Sequence, residues 1–351
     1  MESVQRNPMR ANIRQVAERA GVSRTTVSNV LLGRHDIVAA DKCEMVLEAA
    51  RALDYVPVRP TLQNRHMETR VIAVPLNEPR KFGWCINSGT YEGLCEAAVN
   101  HGYDVLMLLR PDSGWAAQHS QIQLLDRRSD GIVFASPIIG ESRATFETLL
   151  KHHIPTVVCY RRDVPEGISW VDPDNKSAMF QAVGHLVEQG HTKIAHLTEN
   201  KERGFDNLAR RRYFSEAMTY FGLDSYAHCI VASPDFEVGT ATLHQIRQSG
   251  ATAVACYNDL LALKLWAQAT QAGLRVPDDL SLVGIDGVDA KEHSLTSVEF
   301  SFAEVGREAV KGLVRQMQGK SAEKCCSVIP VQLHARQSVK KLSRSRHSER
   351  V

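Results

Sequence analysis

The sequence predicts an α/β protein in which an all-α domain at the N-terminus is followed by a linker and two α/β lobes. Three observations support this class. Apolar residues recur at helical spacing over residues 1–56, two prolines interrupt a polar stretch over residues 57–69, and short apolar runs alternate with helical stretches over residues 70–338. The length of 351 residues is sufficient for two or three domains.

Composition and charge exclude several classes of protein. The chain carries 42 Lys and Arg residues against 40 Asp and Glu residues, and 43% of its residues are hydrophobic, which excludes a disordered chain, a fibre and a coiled-coil rod. No apolar run reaches the roughly 18–20 residues that span a bilayer. The N-terminus lacks the apolar core of a signal peptide, so we expect a cytoplasmic protein with no membrane partner.

Motifs for catalysis and for metal binding are missing from the sequence. The eight cysteines form no C-x-x-C pair, and most of them lie in apolar runs, so we expect buried reduced thiols and no metal site. The sequence also has no P-loop, no G-x-G-x-x-G after its first predicted strand, no G-x-S-x-G and no H-E-x-x-H. We therefore expect no catalytic residues, no enzyme activity and no cofactor.

The first domain is predicted to contain three short helices. Asn12 can cap a first helix, and Gly21 ends it because glycine tolerates positive φ. Ser23 can cap a second helix that runs through Leu32, and a third is predicted over residues 40–53. The first two helices form a helix-turn-helix, whose second helix can enter a DNA major groove. A small helical bundle without a DNA role is the alternative.

Four residues of the second helix are expected to face the bases. Arg24, Thr25, Ser28 and Asn29 lie opposite its apolar positions. Arginine can make paired hydrogen bonds to guanine, and asparagine can make them to adenine.

The remainder of the chain is predicted to form parallel sheets. Eight β-rich runs alternate with helical stretches, and they begin at Arg70, Tyr103, Gly131, Thr156, Lys193, His228, Thr252 and Leu280. These runs exceed one comfortable sheet, so two lobes with a cleft between them are expected. Ligands of such sheets bind beyond the carboxyl ends of the strands.

Several segments resemble one known family. The string IRQVAERAGVSRTTVSNVL followed by RALDYVP resembles the headpiece of the LacI/GalR family of bacterial transcription regulators. The segments DGIVFASP, VDPDNKSA, HLVEQGHTKIAHL, YNDLLAL, RVPDDLSLVGIDG and SLTSVEFSF resemble the effector domain of the same family. The resemblance runs in order from about Asn12 to about Arg336.

The resemblance implies a fold and a function. It implies a periplasmic-binding-protein-like domain of two lobes, with a small molecule bound between them, and the expected effector is a sugar or a related metabolite. It also implies a homodimer on a near-palindromic, double-stranded operator. Repression is the default expectation, because bound protein blocks the polymerase. The sequence leaves open whether the effector releases or recruits the protein.

The resemblance assigns DNA contacts to individual residues. Asn12, Ser23, Thr26 and Ser28 match positions that contact phosphates or cap helices, and capping alone is the alternative for each. Asn29 stands where the family usually has a base-reading Arg, so we expect a changed half-site that favours adenine.

The linker departs from the family pattern. The family places an Ala and a Leu in a hinge helix, and that Leu enters the minor groove. Thr61 and Asn64 occupy these positions here, and Pro60 interrupts the segment. Leu62 is the one aliphatic candidate for a DNA contact, but we expect no conventional insertion.

Three polar residues match effector-binding positions of the family. Arg210 matches an Arg that clamps hydroxyls or a carboxylate, although Arg211 or Arg212 remain alternatives. Asn258 would hydrogen-bond a hydroxyl, and a helix cap is its alternative. Asp286 would accept hydrogen bonds from hydroxyls, and a structural turn is its alternative.

Further effector candidates are aromatic residues and strand ends. Phe236 and Phe302 match positions that stack on a ligand ring, with core packing as the alternative. Asn77 and Ser136 follow predicted strands. Tyr160 stands where many relatives have Asp, so it would replace a charged acceptor by an aromatic wall.

Two other functions are alternatives to that of a DNA-binding regulator. A solute-binding receptor could use the same cleft, but it would carry a signal peptide and no headpiece. An enzyme on the same α/β fold would need a nucleophile or a cofactor loop. Residues 339–351 are basic and without apolar periodicity, so a disordered tail is expected there.

Overall fold

The computed structural model describes residues 11–31, 37–55, 68–76, 86–109, 123–136, 142–199, 205–226, 228–232, 237–319 and 325–342. Three helices form a headpiece, and two lobes with one six-stranded sheet each follow it. This confirms the predicted α/β class with parallel sheets. None of the helices in the described ranges has both the length and the apolar character needed to cross a bilayer.

The headpiece is a bundle of three helices. They are α1 (Ile13–Ala20), α2 (Arg24–Leu31) and α3 (Ala40–Ala52). Gly21 separates the first two with φ of 65°, which is the left-handed conformation that the sequence predicted for the turn. Val16, Val27, Val30 and Val46 are fully buried between the helices, so the apolar positions spaced at helical period make one small core.

The first lobe has a wholly parallel sheet. Its strands are β1 (Val71–Leu76), β2 (Asp104–Leu109), β3 (Gly131–Phe134), β4 (Thr156–Cys159), β5 (Ser169–Pro173) and β11 (Cys326–Ile329), in the order β11-β5-β4-β3-β1-β2. Helices α4 (Ile86–Asn100), α5 (Arg143–Lys151) and α10 (Phe302–Met317) accompany this sheet. The interior strands β3 and β4 are buried along their whole length because both faces of the sheet are covered.

The second lobe repeats this plan with one antiparallel edge strand. Its strands are β6 (Ile194–Glu199), β7 (His228–Ala232), β8 (Ala253–Cys256), β9 (Ser281–Asp286), β10 (Thr296–Glu299) and β12 (Gln332–His334), in the order β12-β10-β9-β8-β6-β7. Only β12 pairs antiparallel. Helices α6 (Asn175–Glu188), α7 (Phe205–Tyr220), α8 (Thr240–Gln248) and α9 (Asp259–Gln271) belong to this lobe.

Within the described ranges the chain passes between the lobes at three places. The passages lie between β5 and α6, between β10 and α10, and between β11 and β12. All eight predicted β-rich runs are strands, whereas β5, β10, β11 and β12 were not among them. Each of these four strands is three to five residues long and contains polar residues. The strands β3, β4 and β8 are equally short but are almost entirely apolar, so they stand out as β-rich runs.

Two boundaries differ from the sequence-based prediction. Thr69, which was assigned to the linker, donates from its backbone N and its Oγ1 to Asp130 Oδ1, at 2.8 Å each. Lys340 N donates to Ser281 Oγ, and Leu342 N donates to the carbonyl of Gln189. Thr69 is therefore bonded to the first lobe, and residues 339–342, which were assigned to the tail, include two that are bonded to the second lobe. The other residues of the predicted tail lie outside the described ranges.

Helices α4 and α10 approach each other with backbone against backbone. A methyl group on Gly93 would lie 1.9 Å from the carbonyl oxygen of Ala303, and one on Gly306 would lie 2.1 Å from that of Thr90. No side chain can be accommodated at such separations. The two glycines therefore set how closely the helices of the first lobe pack.

The histidine on β6 lies in the core of the second lobe. His196 is fully buried on β6, where its Nδ1 is 2.8 Å from the carbonyl oxygen of Ala255 and its ring stacks on Phe214. Within the described part of the chain its Nε2 has no hydrogen-bond partner. Burial lowers the pKa of His196 to about 4, and the nearby Arg210 and Arg211 act in the same direction.

Gly306→Ala should destabilise the first lobe by about 1–3 kcal/mol, because the added methyl meets backbone that cannot move alone. The free energy of unfolding in urea measures this effect. Arg315→Ala, on the exposed face of the same helix, is the matched control and should change stability by less than about 0.5 kcal/mol. Equal stability of wild type and Gly306→Ala would contradict the packing described.

His196→Gln should reduce the acid sensitivity of folding. Because the folded pKa is about 4 and the unfolded value about 6.5, the wild type should lose stability as pH falls from 6.5 towards 4. At pH 5 the loss from this group is about 2 kcal/mol. Urea unfolding across this range should show a flatter profile for His196→Gln. The exposed His101→Gln is the control, and an identical slope in both variants would refute the prediction.

Candidate functional site

The second helix of the headpiece presents a polar face. Val27, Val30 and Leu31 are buried against α1 and α3. On the opposite side Arg24 and Thr25 are exposed, and Ser28 and Asn29 are partly exposed. The four residues predicted to read bases therefore share one accessible face of α2.

Asn12 and Ser23 cap the two helices of the helix-turn-helix. The Asn12 side chain accepts hydrogen bonds from the backbone of Arg14 at 3.0 Å and Gln15 at 3.1 Å. Ser23 Oγ accepts from Thr26 N at 3.0 Å and lies 2.9 Å from Thr26 Oγ1. The capping alternative holds for both residues, and both remain exposed at helix N-termini, where phosphate binding is also favoured.

Three predicted site residues lie outside the described ranges. They are Leu62, Asn77 and Phe236.

Arg210 is buried at the centre of a polar network in the second lobe. Its Nε donates to Asn175 Oδ1 at 2.7 Å, its Nη1 to the carbonyl oxygen of Tyr257 at 2.6 Å, and its Nη2 to Asp286 Oδ1 at 2.8 Å. Only 3% of the residue is exposed, whereas the neighbouring Arg211 and Arg212 are exposed. Of the three candidates, Arg210 is the one directed inward.

Asp286 ends β9 in a backbone conformation that side chains rarely adopt, with φ of 112°. It lies at the carboxyl edge of the parallel sheet, where ligands of such folds bind. Burial raises the pKa of its carboxyl group, and the Arg210 guanidinium opposes that shift. The two residues form a buried ion pair that places opposite charges side by side.

Asn258 serves as the N-cap of α9. Its side-chain oxygen accepts a hydrogen bond from Leu261 N at 2.9 Å, and the residue is buried. Asn258 therefore caps a helix, which is the role given above as the alternative to contact with an effector. The next residue, Asp259, accepts from Ser297 Oγ at 2.7 Å and from Val288 N at 2.8 Å, which holds the loop after β9 against α9.

The sequence interpretation missed two polar residues of this network. Asp172 is fully buried near the end of β5, and Asn175 is buried at the start of α6. Both belong to the segment VDPDN, and their position at the end of a buried strand was the signal that could have identified them. They lie where the chain first passes from one lobe to the other.

Tyr160 differs from its predicted role. It is 3% exposed and packs in the core of the first lobe, where its hydroxyl is 2.5 Å from Thr90 Oγ1. Its ring centroid is 6.4 Å from those of Phe300 and Phe302. In this structure Tyr160 is a core contact, because its buried side chain packs against α4.

Phe302 and Ser136 lie at the ends of first-lobe elements and are not fully buried. Phe302 is partly buried against the first-lobe core at the start of α10, next to the passage between the lobes. Ser136 follows β3 and is 9% exposed. Both therefore lie near strand or helix ends of the first lobe.

His191 has a structural role. Its Nδ1 is 2.9 Å from Thr252 Oγ1 and its Nε2 is 3.2 Å from the carbonyl oxygen of Lys340. Within the ranges that the structure describes, no three His, Cys, Asp or Glu residues are grouped so that they could hold a metal ion.

Comparisons with known proteins match both parts of the chain. The model of bacterial regulatory proteins of the lacI family matches residues 12–58, and that of the periplasmic binding protein-like domain matches residues 183–339. The transcriptional repressor CytR of Escherichia coli K12, a helix-turn-helix protein, is 30% identical over 328 residues, which cover 88% of this chain and 91% of CytR.

Solved structures show the same architecture. The complex of the transcriptional regulator CelR with cellobiose is 26% identical, covers 94% of this chain and 100% of CelR, and has a TM-score of 0.69. The lac repressor dimer bound to operator and to the anti-inducer ONPF is 24% identical, covers 95% of this chain and 100% of its own, and has a TM-score of 0.68.

These comparisons confirm the resemblance seen in the sequence, and the relative named is a transcriptional repressor rather than an enzyme. The chain belongs to the lacI family of bacterial regulatory proteins, and it is a DNA-binding regulator of transcription.

Proposed function

We propose that this protein is a homodimeric repressor whose affinity for a near-palindromic operator is controlled by a sugar or related metabolite bound between its lobes. The observation that carries the proposal is that one chain contains both a helix-turn-helix with an exposed polar face and a two-lobed domain with a buried polar site. A helix-turn-helix exposes Arg24, Thr25, Ser28 and Asn29, and a two-lobed domain holds the Arg210–Asp286 ion pair at the strand ends of its second sheet.

The DNA-binding surface is α2 with its flanking caps. We assign base contacts to its polar face, with Arg24 suited to guanine and Asn29 to adenine. Asn12, Ser23, Thr26 and Ser28 are assigned to the phosphates, because small polar side chains and helix N-termini make such contacts. Leu62 is the one linker residue proposed to touch DNA.

The first lobe carries an apolar surface that fits a second copy of the chain. Val99 on α4 is 73% exposed, and Met107 and Leu109 on β2 are 40% and 57% exposed. Strand β2 is the edge of its sheet. An exposed apolar edge strand is a liability that a partner subunit removes. A two-fold dimer on this surface would place two headpieces on a symmetric site.

The effector site is proposed at the Arg210–Asp286 pair. A guanidinium beside a carboxylate supplies donors and acceptors in fixed positions, which suits a ligand with several hydroxyl groups. Ser136 and Phe302 would contribute from the first lobe, and Asn77 and Phe236 are proposed from the family resemblance. Asn258 would shape the site through its cap of α9. The cellobiose complex of CelR supports a sugar as the class of ligand.

The two-lobed architecture explains how the effector would control operator affinity. A ligand that binds the two lobes better at one relative angle shifts the protein towards that angle. The linker joins the headpiece to the first lobe, so a change in angle alters how the headpieces meet the operator. DNA and effector then influence each other reciprocally, typically by about 1–3 kcal/mol.

Selection from a random duplex pool tests DNA recognition. The purified wild type should enrich a near-palindromic consensus, and Asn29→Arg should change the preferred base at one position of each half-site, because the two side chains pair with different bases. Sequencing of the retained duplexes measures both effects. Absence of enrichment, with and without added sugars, would refute the proposed function. An unchanged base preference would refute only the role of Asn29.

Ligand binding tests the effector site. Cellobiose, D-ribose and D-glucose are titrated by calorimetry, and the operator affinity of the protein is measured with and without each. Arg210→Lys keeps a positive charge beside Asp286 but loses the planar fork, so it should bind an active sugar at least tenfold more weakly, or about 1.4 kcal/mol.

Arg211→Lys, a change at the exposed neighbouring position, is the matched control and should bind as the wild type does. Circular dichroism melts establish that both variants fold. Sugar binding that is equal in the two variants would contradict the site. If none of the three sugars binds to the wild type, the proposed ligand class is wrong.

A further inference from the structure

A continuous series of polar contacts joins the two lobes at the first passage of the chain. Arg162, in the first lobe, donates from Nε to Asp172 Oδ2 at 2.5 Å. Asn175, in the second lobe, donates from Nδ2 to Asp172 Oδ1 at 3.2 Å. Asn175 Oδ1 in turn accepts from Arg210 Nε at 2.7 Å, and Arg210 is paired with Asp286. Asp172 therefore stands midway between a first-lobe arginine and the ion pair of the second lobe.

The amide of Asn175 can serve this series in one orientation only. Its NH₂ group faces the carboxylate of Asp172, which accepts hydrogen bonds, and its oxygen faces the guanidinium of Arg210, which donates them. A flipped amide would bring donor against donor and acceptor against acceptor. The carboxylate of Asp172 thus orients the side chain that holds Arg210 Nε.

Arg162 anchors the other end of the series. Its guanidinium lies 4.8 Å from the centroid of the Trp170 ring and also donates to the carbonyl oxygen of Pro173 at 3.2 Å. It therefore contacts the last strand before the passage up to its final residue, Pro173. Asp172 is fully buried, and a buried carboxylate that lost this partner would carry a large desolvation penalty.

We propose that Asp172 is a positioning residue of the effector response, which links Arg210 of the second lobe to Arg162 and Trp170 of the first lobe through Asn175. A displacement of Arg210 changes its hydrogen bond to Asn175. Through Asp172, this alters the contacts that Arg162 makes with the last residues of β5, where the chain leaves the first lobe. The regulatory part of this inference rests on the proposed function, whereas the link itself is a property of the free protein.

The charge of Asp172 provides a means to observe the link. Burial raises the pKa of its carboxyl group to about 6, while Arg162, Arg210 and the Asn175 amide act in the opposite direction. The thiol of Cys159 is a further ionisable group that interacts with Asp172, and its pKa is raised by burial and by the Asp172 carboxylate. The carboxylate is thus expected to gain its proton within a range where the protein can be studied folded.

Trp170 is a natural reporter of this titration. In the full-length chain Trp84, Trp115 and Trp266 are replaced by Phe, and the fluorescence of Trp170 is followed from pH 8 to pH 4.5 without ligand. A transition with a midpoint near pH 6 is expected, because protonation of Asp172 loosens Arg162 from the ring. Asp172→Asn should abolish the transition.

Arg210→Gln tests the link across the lobes. Loss of that positive charge should raise the midpoint by about one pH unit. The matched control is Arg211→Gln on the exposed side of the same helix, which should leave the midpoint unchanged. Circular dichroism establishes folding of each chain. If the triple-Phe chain does not fold, carbon-13 NMR of Asp carboxyl groups, compared between wild type and Asp172→Asn, reports the same midpoint.

The outcomes separate this inference from the proposed function. The link is overturned if Arg210→Gln leaves the pH midpoint of Trp170 fluorescence unchanged, or if Asp172→Asn still shows the transition. Either result holds whatever the operator or ligand proves to be. Operator binding with cellobiose, D-ribose and D-glucose gives the second readout. A sugar that changes operator affinity in the wild type should change it at least fivefold less in Asp172→Asn, and an equal response overturns the regulatory role. If no sugar acts on the wild type, the proposed ligand class fails and the fluorescence titration alone decides the link.

Discussion

The ion pair between Arg210 and Asp286 constrains much of the second lobe. Two charges that are taken out of water are stabilised only when their remaining donors and acceptors are also satisfied. Here the remaining donors of Arg210 bind the side-chain amide oxygen of Asn175 on α6 and the backbone carbonyl oxygen of Tyr257 before α9. The helix that bears Arg210, the strand that ends in Asp286 and the loop between β8 and α9 are therefore held in one arrangement.

A different constraint shapes the first lobe. Gly93 and Gly306 allow α4 and α10 to pack with their backbones in contact, so these two helices behave as one rigid layer. Helix α10 begins directly after a passage from the second lobe, and α4 carries part of the exposed apolar surface. A change at the passage would thus be transmitted to the proposed dimer surface by packed backbone rather than by a flexible segment.

Polar side chains of both lobes are in contact at the first passage between the lobes. Trp170, Arg162 and Asp172 belong to the first lobe, whereas Asn175 and Arg210 belong to the second. The three passages of the chain form a hinge. The covalent connections do not determine which side-chain contacts depend on the angle between the lobes. Buried polar groups are suited to that task, because their hydrogen bonds depend strongly on direction and distance.

Features that depend on neighbours along the chain could be predicted from the amino-acid sequence. Helix caps at Asn12 and Ser23, the turn at Gly21 and the β-rich runs could be read because capping, positive φ and periodicity act over a few residues. Motifs in order along the chain identified the family. Other features became evident only in the folded protein: which of three adjacent arginines is buried, that Tyr160 packs in the core, and that Asp172 contacts Arg162 and Asn175. These outcomes depend on contacts between distant segments and on burial, which local sequence preferences do not encode.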